Sequence, residues 1–420
     1  MATTVAPTVC TLPGYEAQPR DSGVEHSRRK LQEAAADLQS VAADRISWSH
    51  CKSEDETFGY RCICTFQLVL EQDGYQYAMR HQNTPILLGT SAFPIATRRI
   101  QHVMKKLLDI LNADGNSVLT NHVTSVSLAS SWNDTPECDC IVTLMYQEPV
   151  DEDTWKASAE PLLQALLLTR FIGHSRGRLF FVSGTEDRDF IEDTVYLYLS
   201  SNAASRVTLS LEAVSSETRC IPVYYKKPES AFFHPNSRAM VEALEWMMDR
   251  LQSIGRASSM LEMYCGCGAH TIPLAKSGFV EKIVAIELDN RLVQACVANC
   301  KLNGCDGDDS HIDISPVYVF QGDASEWAHG SLQKTSGWYD EDFDILLVDP
   351  PRMGLADDVC QMAIEGTFQH VLYISCGRHA LKRDLARLKV SYEVVDCRLL
   401  DLFPRTSSVE SVVHLRRCLV

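Results

Sequence analysis

Side chains that could do chemistry follow short apolar runs in the second half of the chain. Cys376 comes just after the run 371–374, and Asp349 and Arg352 belong to an Asp-Pro-Pro-Arg segment after the run 345–348. A cysteine thiol is a potential nucleophile, although a cysteine after an apolar strand more commonly packs in the core. Consecutive prolines fix φ and end a strand, so they would hold the Asp349 and Arg352 side chains rigidly. These segments therefore predict a ligand or reaction site.

A glycine turn follows the run 260–263. It contains Tyr264, Gly266 and Gly268, and Glu287 ends the next apolar run about 20 residues after the first glycine. Such a turn lets a nucleotide-like ligand approach the backbone, and an acid at this spacing can accept hydrogen bonds from ribose hydroxyls. A dinucleotide site would continue as G-x-G-x-x-G, whereas two glycines suit S-adenosylmethionine at least as well. The alternative to a ligand-binding turn is an ordinary turn between a strand and a helix that binds no ligand.

The elements that must position these residues alternate between strands and helices from residue 230 onward. Strand and helix alternation predicts a parallel, doubly wound sheet, in which the carboxyl ends of the strands meet at one edge. Asp323 follows the third run, where it would face the adenine side of a cofactor or cap the next helix. We predict one α/β domain at 230–420 with its site along that edge. The apolar runs are 260–263, 282–288, 317–320, 345–348 and 371–374.

For the first part of the chain, residues 1–229, the sequence predicts an α+β region after a loose tail that ends at about residue 15. Alternation over 60–70, an Asp-Gly pair and the run 75–79 predict a β-hairpin. After Thr97, a plausible N-cap, apolar residues recur at the 3.6-residue period of an amphipathic helix. We expect this region to recognise the substrate.

The formal net charge is −16, which argues against an unspecific nucleic-acid binder because phosphate affinity depends on clustered cations. Any basic surface must therefore be local. Cations on the amphipathic helix are candidates for an RNA-backbone contact, with a solvated helix face as the alternative. The candidates are Arg98, Arg99, Lys105 and Lys106, followed by Arg170, Arg176 and Arg178.

Composition excludes other classes of protein. Sixteen cysteines in 420 residues are too few for a disulfide scaffold and favour reduced thiols. No apolar run approaches the roughly 18 to 20 residues that a membrane span needs. The first thirty residues lack an apolar signal core and contain acids that a mitochondrial presequence avoids. We expect an intracellular protein, cytoplasmic or nuclear, without a membrane partner.

Four ordered motifs resemble those of the RNA uracil-5-methyltransferases. Segments farther upstream are similar to the branch of the family that makes ribothymidine in tRNA. The four motifs are Tyr264-Cys265-Gly266-Cys267-Gly268, Val348-Asp349-Pro350-Pro351-Arg352, Tyr373-Ile374-Ser375-Cys376, and Asp401-Leu402-Phe403-Pro404 through Val409-Glu410. The upstream segments are Phe233-His234-Pro235-Asn236, Tyr146-Gln147-Glu148 with Trp155, and Gly14-Tyr15-Glu16-Ala17-Gln18.

The resemblance implies a class I, Rossmann-like catalytic domain that uses S-adenosylmethionine, beside an RNA-binding domain. It assigns Cys376 as the nucleophile that adds to C6 of uracil, Glu410 as the acceptor of the C5 proton and Arg352 as the contact to the base or its enolate. The implied substrate is tRNA, at position 54 of the T-loop. The implied cofactor contacts are His234, Tyr264, Gly266, Gly268, Glu287, Asp323 and Asp349.

The chain departs from the family pattern at several positions. The family has Asn-Pro after the nucleophile, whereas this chain has Gly377-Arg378, which adds a cation expected to lower the thiol pKa. His234 stands in place of a Gln, Ala269 in place of an Asn, and Ser408 in place of a His. These departures motivate one alternative, a weakly catalytic tRNA-binding folding factor. A second alternative, an rRNA uridine methyltransferase, keeps the chemistry and changes the target.

Ribosomal-RNA members of the family often carry a four-cysteine iron-sulfur cluster. The C-x-C pairs here, Cys62 with Cys64 and Cys138 with Cys140, alternate as core residues of strands do. We therefore expect neither a metal nor a cluster, and we favour the tRNA branch and a monomer.

Overall fold

The computed structural model describes most of the chain. The described residues are 22–81, 84–88, 93–113, 117–184, 188–200, 204–212, 218–229, 233–255, 257, 259–306, 314–338 and 342–418. The segment around Tyr15 that resembles the tRNA enzyme, and the predicted tail, lie outside these residues.

Strands and helices are numbered here in chain order. The strands are β1 Ile46–Ser49, β2 Ile63–Glu71, β3 Gly74–His81, β4 Thr84–Leu87, β5 Val123–Ser130, β6 Cys140–Tyr146, β7 Arg170–Ser175, β8 Arg178–Ser183, β9 Phe190–Ser200, β10 Arg206–Thr208, β11 Thr218–Pro228, β12 Met260–Met263, β13 Ile283–Glu287, β14 Val317–Gln321, β15 Ile345–Val348, β16 His370–Ser375, β17 Tyr392–Leu400 and β18 Glu410–Arg417. The helices are α1 Gly23–Ala42, α2 Arg98–Leu111, α3 Ser117–Thr120, α4 Glu152–Ala165, α5 Ser237–Ile254, α6 Thr271–Ser277, α7 Asn290–Leu302, α8 Ala324–Ala328, α9 Ser331–Ser336, α10 Asp357–Glu365 and α11 Arg378–Leu388.

The predicted doubly wound sheet is present, and its five expected strands are β12 to β16. They pair in parallel in the order β16-β15-β12-β13-β14, and the antiparallel β18 lies between β16 and β17. Residues of β12, β13, β15 and β16 are almost entirely buried, as expected for strands covered by helices on both faces, whereas only Val317 of the edge strand β14 is buried. The carboxyl ends of the parallel strands and the start of β18 therefore share one edge.

The boundary expected at residue 229 does not separate two structural units. Strand β1 pairs in parallel with β17 and closes the outer edge of the catalytic sheet. Helix α1 packs on the same sheet, because Leu31 and Leu38 share a core with residues of β12, β15 and β17. The N-terminal α1 and β1 thus belong to the catalytic unit.

A second sheet has the order β4-β3-β2-β5-β6-β7-β8. The predicted hairpin forms its β2 and β3, and the predicted amphipathic helix is α2, capped by Thr97. Helices α2 and α4 supply Leu107, Trp155 and neighbouring residues to a core separate from that of the catalytic sheet. This sheet and its helices form the α+β region that the sequence predicts.

A third sheet, β10-β9-β11, links the two parts. Val195 of β9 and Val223 of β11 share one core with Leu244 of α5 and Ile272 of α6. Strands β9 and β11 therefore pack on the catalytic unit although they precede the predicted boundary.

No helix among the described residues is long and apolar enough to cross a membrane. The described residues also contain no group of three or more His, Cys, Asp or Glu side chains arranged to hold a metal ion. Cys62, Cys64 and Cys140 are buried free thiols at or within strands of the second sheet.

Candidate active site at the edge of the catalytic sheet

Pairing between β16 and β18 sets the two residues predicted for covalent chemistry side by side. Ser375 pairs with Ser411 in the antiparallel ladder, so the next residue of one strand, Cys376, faces the preceding residue of the other, Glu410. Cys376 is half-buried and Glu410 is buried. The strand register thus brings together two residues that are far apart in sequence.

Burial raises the pKa values of both groups. The pKa of the Cys376 thiol is raised by burial and by the nearby Glu410 and Asp349 carboxylates, while Arg352 acts in the opposite direction. The pKa of Glu410 is raised well above its ordinary value by burial and by Asp349, again opposed by Arg352. Burial raises the pKa of Asp349 to about 7. These four residues therefore form one electrostatically coupled cluster.

A cleft of about 250 Å³ opens beside this cluster. Arg352 and Cys376 line one side of it, and Ser407, Ser408 and Val409 line another. Arg352 is exposed and, within the described part of the chain, forms no ion pair. Its guanidinium is therefore free to bind a ligand in the cleft.

Asp384, a buried acid of α11, holds the segment that follows Arg352 in place. Its carboxylate accepts hydrogen bonds from Leu355 N at 2.9 Å and from the Tyr373 hydroxyl at 2.7 Å. The Arg383 guanidinium lies 2.8 Å from it and also donates to the Met353 carbonyl. This network fixes the segment 350–355 relative to β16, which carries the nucleophile.

The cation expected to lower the thiol pKa points elsewhere. Arg378 Nε lies 3.0 Å from the Asp37 carboxylate of α1, and the pKa of Cys376 is raised rather than lowered. The sequence could not indicate this because Asp37 lies on a helix far away in the chain.

The glycine turn lies at the same edge in a backbone form that L side chains rarely adopt. Tyr264, Gly266 and Gly268 have φ values of 65°, 57° and 86°. Gly266 N donates to Glu287 Oε2 at 3.0 Å, and Asp289 N donates to Glu287 Oε1 at 2.9 Å. These bonds hold the Glu287 carboxylate beside the turn, where space is open over Gly266.

His234 and His270 complete this part of the edge. Burial lowers the pKa of each to about 4, so both are neutral near pH 7. His270 Nδ1 lies 3.9 Å from Asp349 Oδ2. His234 Nε2 is buried without a hydrogen-bond partner among the described residues. An unpaired buried polar atom, a carboxylate held beside an open glycine turn and neutral histidines fit a nucleoside-containing cofactor such as S-adenosylmethionine.

Asp323 has a local role that the sequence left open. Its Oδ1 accepts a hydrogen bond of 2.7 Å from Ser325 N as the N-cap of α8. Its charge also acts on Tyr264, whose pKa is raised to about 12, chiefly by burial. The residue lies at the predicted edge, and its contact to adenine stays a prediction.

Two of the predicted cationic RNA contacts are wrong. Arg99 is 1% exposed and donates to the backbone carbonyls of Cys138, Leu166 and Leu167. Arg170 is buried, with its guanidinium 3.8 Å from the centre of the Phe181 ring.

The remaining candidates are exposed. Arg98, Lys105 and Lys106 leave an open cationic face on α2. Arg178 is exposed as well, and Arg176 pairs with Glu148 at 2.7 Å.

Sequence reasoning missed two buried charged residues near the site. Glu262 of β12 lies behind the glycine turn, and burial raises its pKa to about 8. An acid inside an otherwise apolar strand is a signal that the sequence offered. Lys30 of α1 is buried against the loop that precedes Glu410, and no local pattern marks it.

Known proteins resemble the chain over most of its length. The model of the family described as tRNA (uracil-5-)-methyltransferase matches residues 25–418. A tRNA/tmRNA (uracil-C(5))-methyltransferase of Azotobacter vinelandii is 32% identical over 363 residues, covering 85% of this chain and 88% of the relative. The protein of the same name from Pseudomonas aeruginosa is 32% identical over 368 residues, with the same coverage.

Among solved structures, the chain resembles the Pyrococcus abyssi tRNA (uracil-54, C5)-methyltransferase in complex with S-adenosyl-L-homocysteine. The TM-score is 0.64 at 16% identity, and the match covers 95% of this chain and 87% of the other. At this identity the likeness supports the fold, which is the Rossmann-like one that the sequence predicts.

Proposed function

Because the chain belongs to the tRNA (uracil-5-)-methyltransferase family, we propose that it transfers a methyl group from S-adenosylmethionine to C5 of a uridine in tRNA. The observation that carries the proposal is the proximity of Cys376 and Glu410, which flank the last β16–β18 pair, Ser375 with Ser411, near the Arg352 guanidinium. The target that we propose is the T-loop uridine at position 54, the position that the name of the Pyrococcus enzyme gives for that enzyme.

The first step that we propose is addition of the Cys376 thiolate to C6 of uracil. C5 is a poor nucleophile, and addition at C6 moves electron density to C5 and to the carbonyl oxygen as an enolate. Arg352 would donate hydrogen bonds to this enolate, a stabilisation of about 3 kcal/mol when the donor is preorganised. The same guanidinium favours the thiolate and the Glu410 carboxylate, because it lowers the pKa of each against the effect of burial.

S-adenosylmethionine, when bound, supplies a methyl group on a sulfonium sulfur, which C5 of the enolate would accept as the sulfonium becomes a neutral thioether. Glu287 would accept hydrogen bonds from ribose hydroxyls through lone pairs that Gly266 N and Asp289 N leave free. Tyr264 and His234 would line the cofactor site, and Asp349 lies between it and the thiol.

Once C5 carries the methyl group, the last step is removal of the C5 proton by the Glu410 carboxylate. The electrons of the C5–H bond form the C5–C6 double bond again as the C6–S bond breaks, which returns the Cys376 thiolate. Glu410 must be ionised for this step, and Arg352 favours its ionised form against the opposing effects of burial and of Asp349.

A uridine within a folded tRNA loop cannot reach Cys376 while it is stacked. Its extrusion costs a few kcal/mol, roughly, and contacts to the surrounding loop offset that cost. The exposed cations Arg98, Lys105 and Lys106 on α2 are the contacts that we propose.

The test is incubation with tRNA that contains 5-fluorouridine, in the presence of S-adenosylmethionine. Fluorine at C5 cannot leave as a proton, so we expect a covalent protein–RNA adduct that survives denaturing electrophoresis. Cys376→Ala should abolish the adduct, and Cys418→Ala, which removes an exposed cysteine, should not. Absence of an adduct with the wild type, or its persistence in Cys376→Ala, would contradict the mechanism.

Substrate choice within RNA needs a separate experiment. Sequencing of 5-methyluridine in tRNA and rRNA from cells that lack the protein should show a loss in tRNA at position 54 alone. Loss from rRNA would favour the ribosomal alternative. We further propose an intracellular location, because the cysteines of the described chain are free thiols, and the expected monomer stays a prediction.

A further inference from the structure

The loop between β17 and β18, residues 401–409, carries one wall of the cleft but has no helix or strand of its own. Arg405 within it has a left-handed backbone with φ of 61°, which costs a non-glycine residue about 1 to 2 kcal/mol. The loop ends at Glu410, the first residue of β18. Its conformation must therefore be imposed by contacts from elsewhere in the molecule.

A single buried lysine of α1 supplies many of these contacts. Lys30 Nζ donates to the carbonyl oxygens of Phe403 at 2.8 Å, Thr406 at 2.9 Å and Ser408 at 3.0 Å. It also lies 2.5 Å from Asp401 Oδ1. An ammonium group has three N–H donors, so the three carbonyl groups use its whole donor capacity while Asp401 balances its charge.

The middle of the loop has separate support. The Arg405 guanidinium donates to Thr57 Oγ1 and Glu54 Oε2, and the Tyr60 hydroxyl donates to the Pro404 carbonyl. These contacts fix residues 404 and 405. Lys30 reaches farther along the loop, to Ser408, which lines the cleft two residues before Glu410.

We propose that Lys30 is a positioning residue for the general base: by binding three carbonyl groups of the loop 401–409, it holds the Glu410 carboxylate where it can accept the C5 proton. The inference rests on the proposed function and deepens it. Addition of the thiol and transfer of the methyl group use Cys376, Arg352 and the cofactor site, which β16 and the segment 350–355 position. Removal of the C5 proton is the step in which Glu410 acts.

The experiment compares wild type, Lys30→Met, Glu410→Gln and Lys389→Met on ordinary tRNA with S-adenosylmethionine. Lys30→Met keeps an unbranched apolar stem but removes the donors. Lys389→Met is the matched control, because Lys389 also donates to a backbone carbonyl across the contact between α1 and α11, but at an exposed site. Two quantities are measured in single turnover: the fraction of enzyme in covalent adduct with RNA, and the rate at which 5-methyluridine tRNA is released.

We expect Lys30→Met and Glu410→Gln both to accumulate the adduct, and Lys30→Met to release product about tenfold to a hundredfold more slowly than wild type, the effect of a misplaced catalytic group. The KM for S-adenosylmethionine should not change. Lys389→Met should match the wild type. A purely structural role would instead reduce adduct formation and release together.

The variant Lys30→Met leaves the buried Asp401 without its counterion, so the double variant Lys30→Met/Asp401→Asn is needed. We expect the double variant to regain only the part of the thermal stability that the unpaired Asp401 charge costs, and not the rate of release, because the three carbonyl groups still lack their donor. Release at the wild-type rate in Lys30→Met, equal loss of both steps, or full recovery in the double variant would each overturn the inference. If wild type methylates no tRNA, the proposed function fails first, and this inference fails with it.

Discussion

The backbone of Gly377 lies so close to Arg352 that a Cβ atom at residue 377 would be 2.2 Å from the Arg352 carbonyl oxygen. No side chain fits there without movement of the backbone. Where the family pattern has Asn, Gly377 lacks the Cβ atom that would meet the Arg352 carbonyl oxygen, so this chain accommodates the close approach of the segment that carries Arg352. The departure is compatible with an assembled site.

Restoring a side chain at residue 377 should therefore impair the enzyme. Gly377→Ala, and Gly377→Asn more strongly, would push Arg352 away from the cleft at a cost of about 1 to 3 kcal/mol. We expect kcat/KM for tRNA to fall roughly tenfold to a hundredfold, with the affinity for S-adenosylhomocysteine unchanged. Gly184→Ala is the control, since its Cβ would meet nothing closer than 3.5 Å. Higher activity in Gly377→Asn would contradict the assignment.

A methyl group at Gly268 should weaken cofactor binding. Gly268 has φ of 86°, and a Cβ there would lie 3.0 Å from Cys296 Sγ and Ile272 Cδ1. The left-handed backbone alone costs about 1 to 2 kcal/mol in a residue with a side chain. We expect Gly268→Ala to raise the Kd for S-adenosylhomocysteine roughly fivefold to thirtyfold, measured by calorimetry. An unchanged Kd would mean that the turn does not form the cofactor site.

Activity should rise with pH through neutrality. Asp349 has a pKa of about 7, and the pKa values of Cys376 and Glu410 are raised above their ordinary values. A group with a raised pKa keeps its proton at neutral pH, so its reactive anion increases up to about tenfold per pH unit below that pKa. Initial rates between about pH 6 and pH 9 should therefore increase. A rate that is flat or falls over this range would contradict the idea that ionisation of the cluster limits turnover.

Cations on α2 should separate into RNA contacts and structural residues. Arg98→Ala, Lys105→Ala and Lys106→Ala should weaken tRNA binding, and each phosphate contact that a substitution removes should reduce the slope of log Kd against log salt by about 0.7 to 0.9. Filter binding at several salt concentrations measures this. With a net charge of −16, the wild-type slope itself should be shallow. If all three variants kept the wild-type slope of log Kd against log salt, this face of α2 would not be part of the tRNA-binding surface.

Arg99→Met should behave differently, because Arg99 holds three backbone carbonyl groups in the interior. Leaving buried acceptors unpaired costs about 1 to 3 kcal/mol each. We expect a lower Tm in thermal unfolding and an unchanged salt slope for the folded fraction. If Arg99→Met reduced the slope of log Kd against log salt and left Tm unchanged, Arg99 would be an RNA contact after all.

The sequence predicted the residues at the strand ends correctly, because apolar runs mark the strands and their alternation with helices indicates a parallel sheet. Once β12 to β16 were recognised as parallel, Tyr264, Glu287, Asp349 and Cys376 had to share one edge. Glu410 was harder to locate, since its position depends on the antiparallel register of β18 with β16, and it came from the resemblance alone.

Long-range contacts explain what the sequence could not indicate. Lys30 and Phe403 are 373 residues apart, and an amphipathic pattern on α1 says nothing about which carbonyl groups its lysine will meet. Arg99 failed as an RNA contact for a similar reason, because the loop at Cys138 and the end of α4 cover the start of α2. Burial by a distant segment leaves no trace in the spacing of charges.

The pairing of β1 with β17 gives the protein an order of assembly. Ser47 and Cys397 meet although 350 residues separate them, so the strand that closes the catalytic sheet leaves the ribosome long before the strand that it covers. Until β17 has been synthesised, β1 has no partner, and the exposed edges of such intermediates are sites of misassembly. The segment that contains β1 therefore stays unpaired until β17 has formed. Formation of β17 and β18 then both closes the sheet and completes the active site.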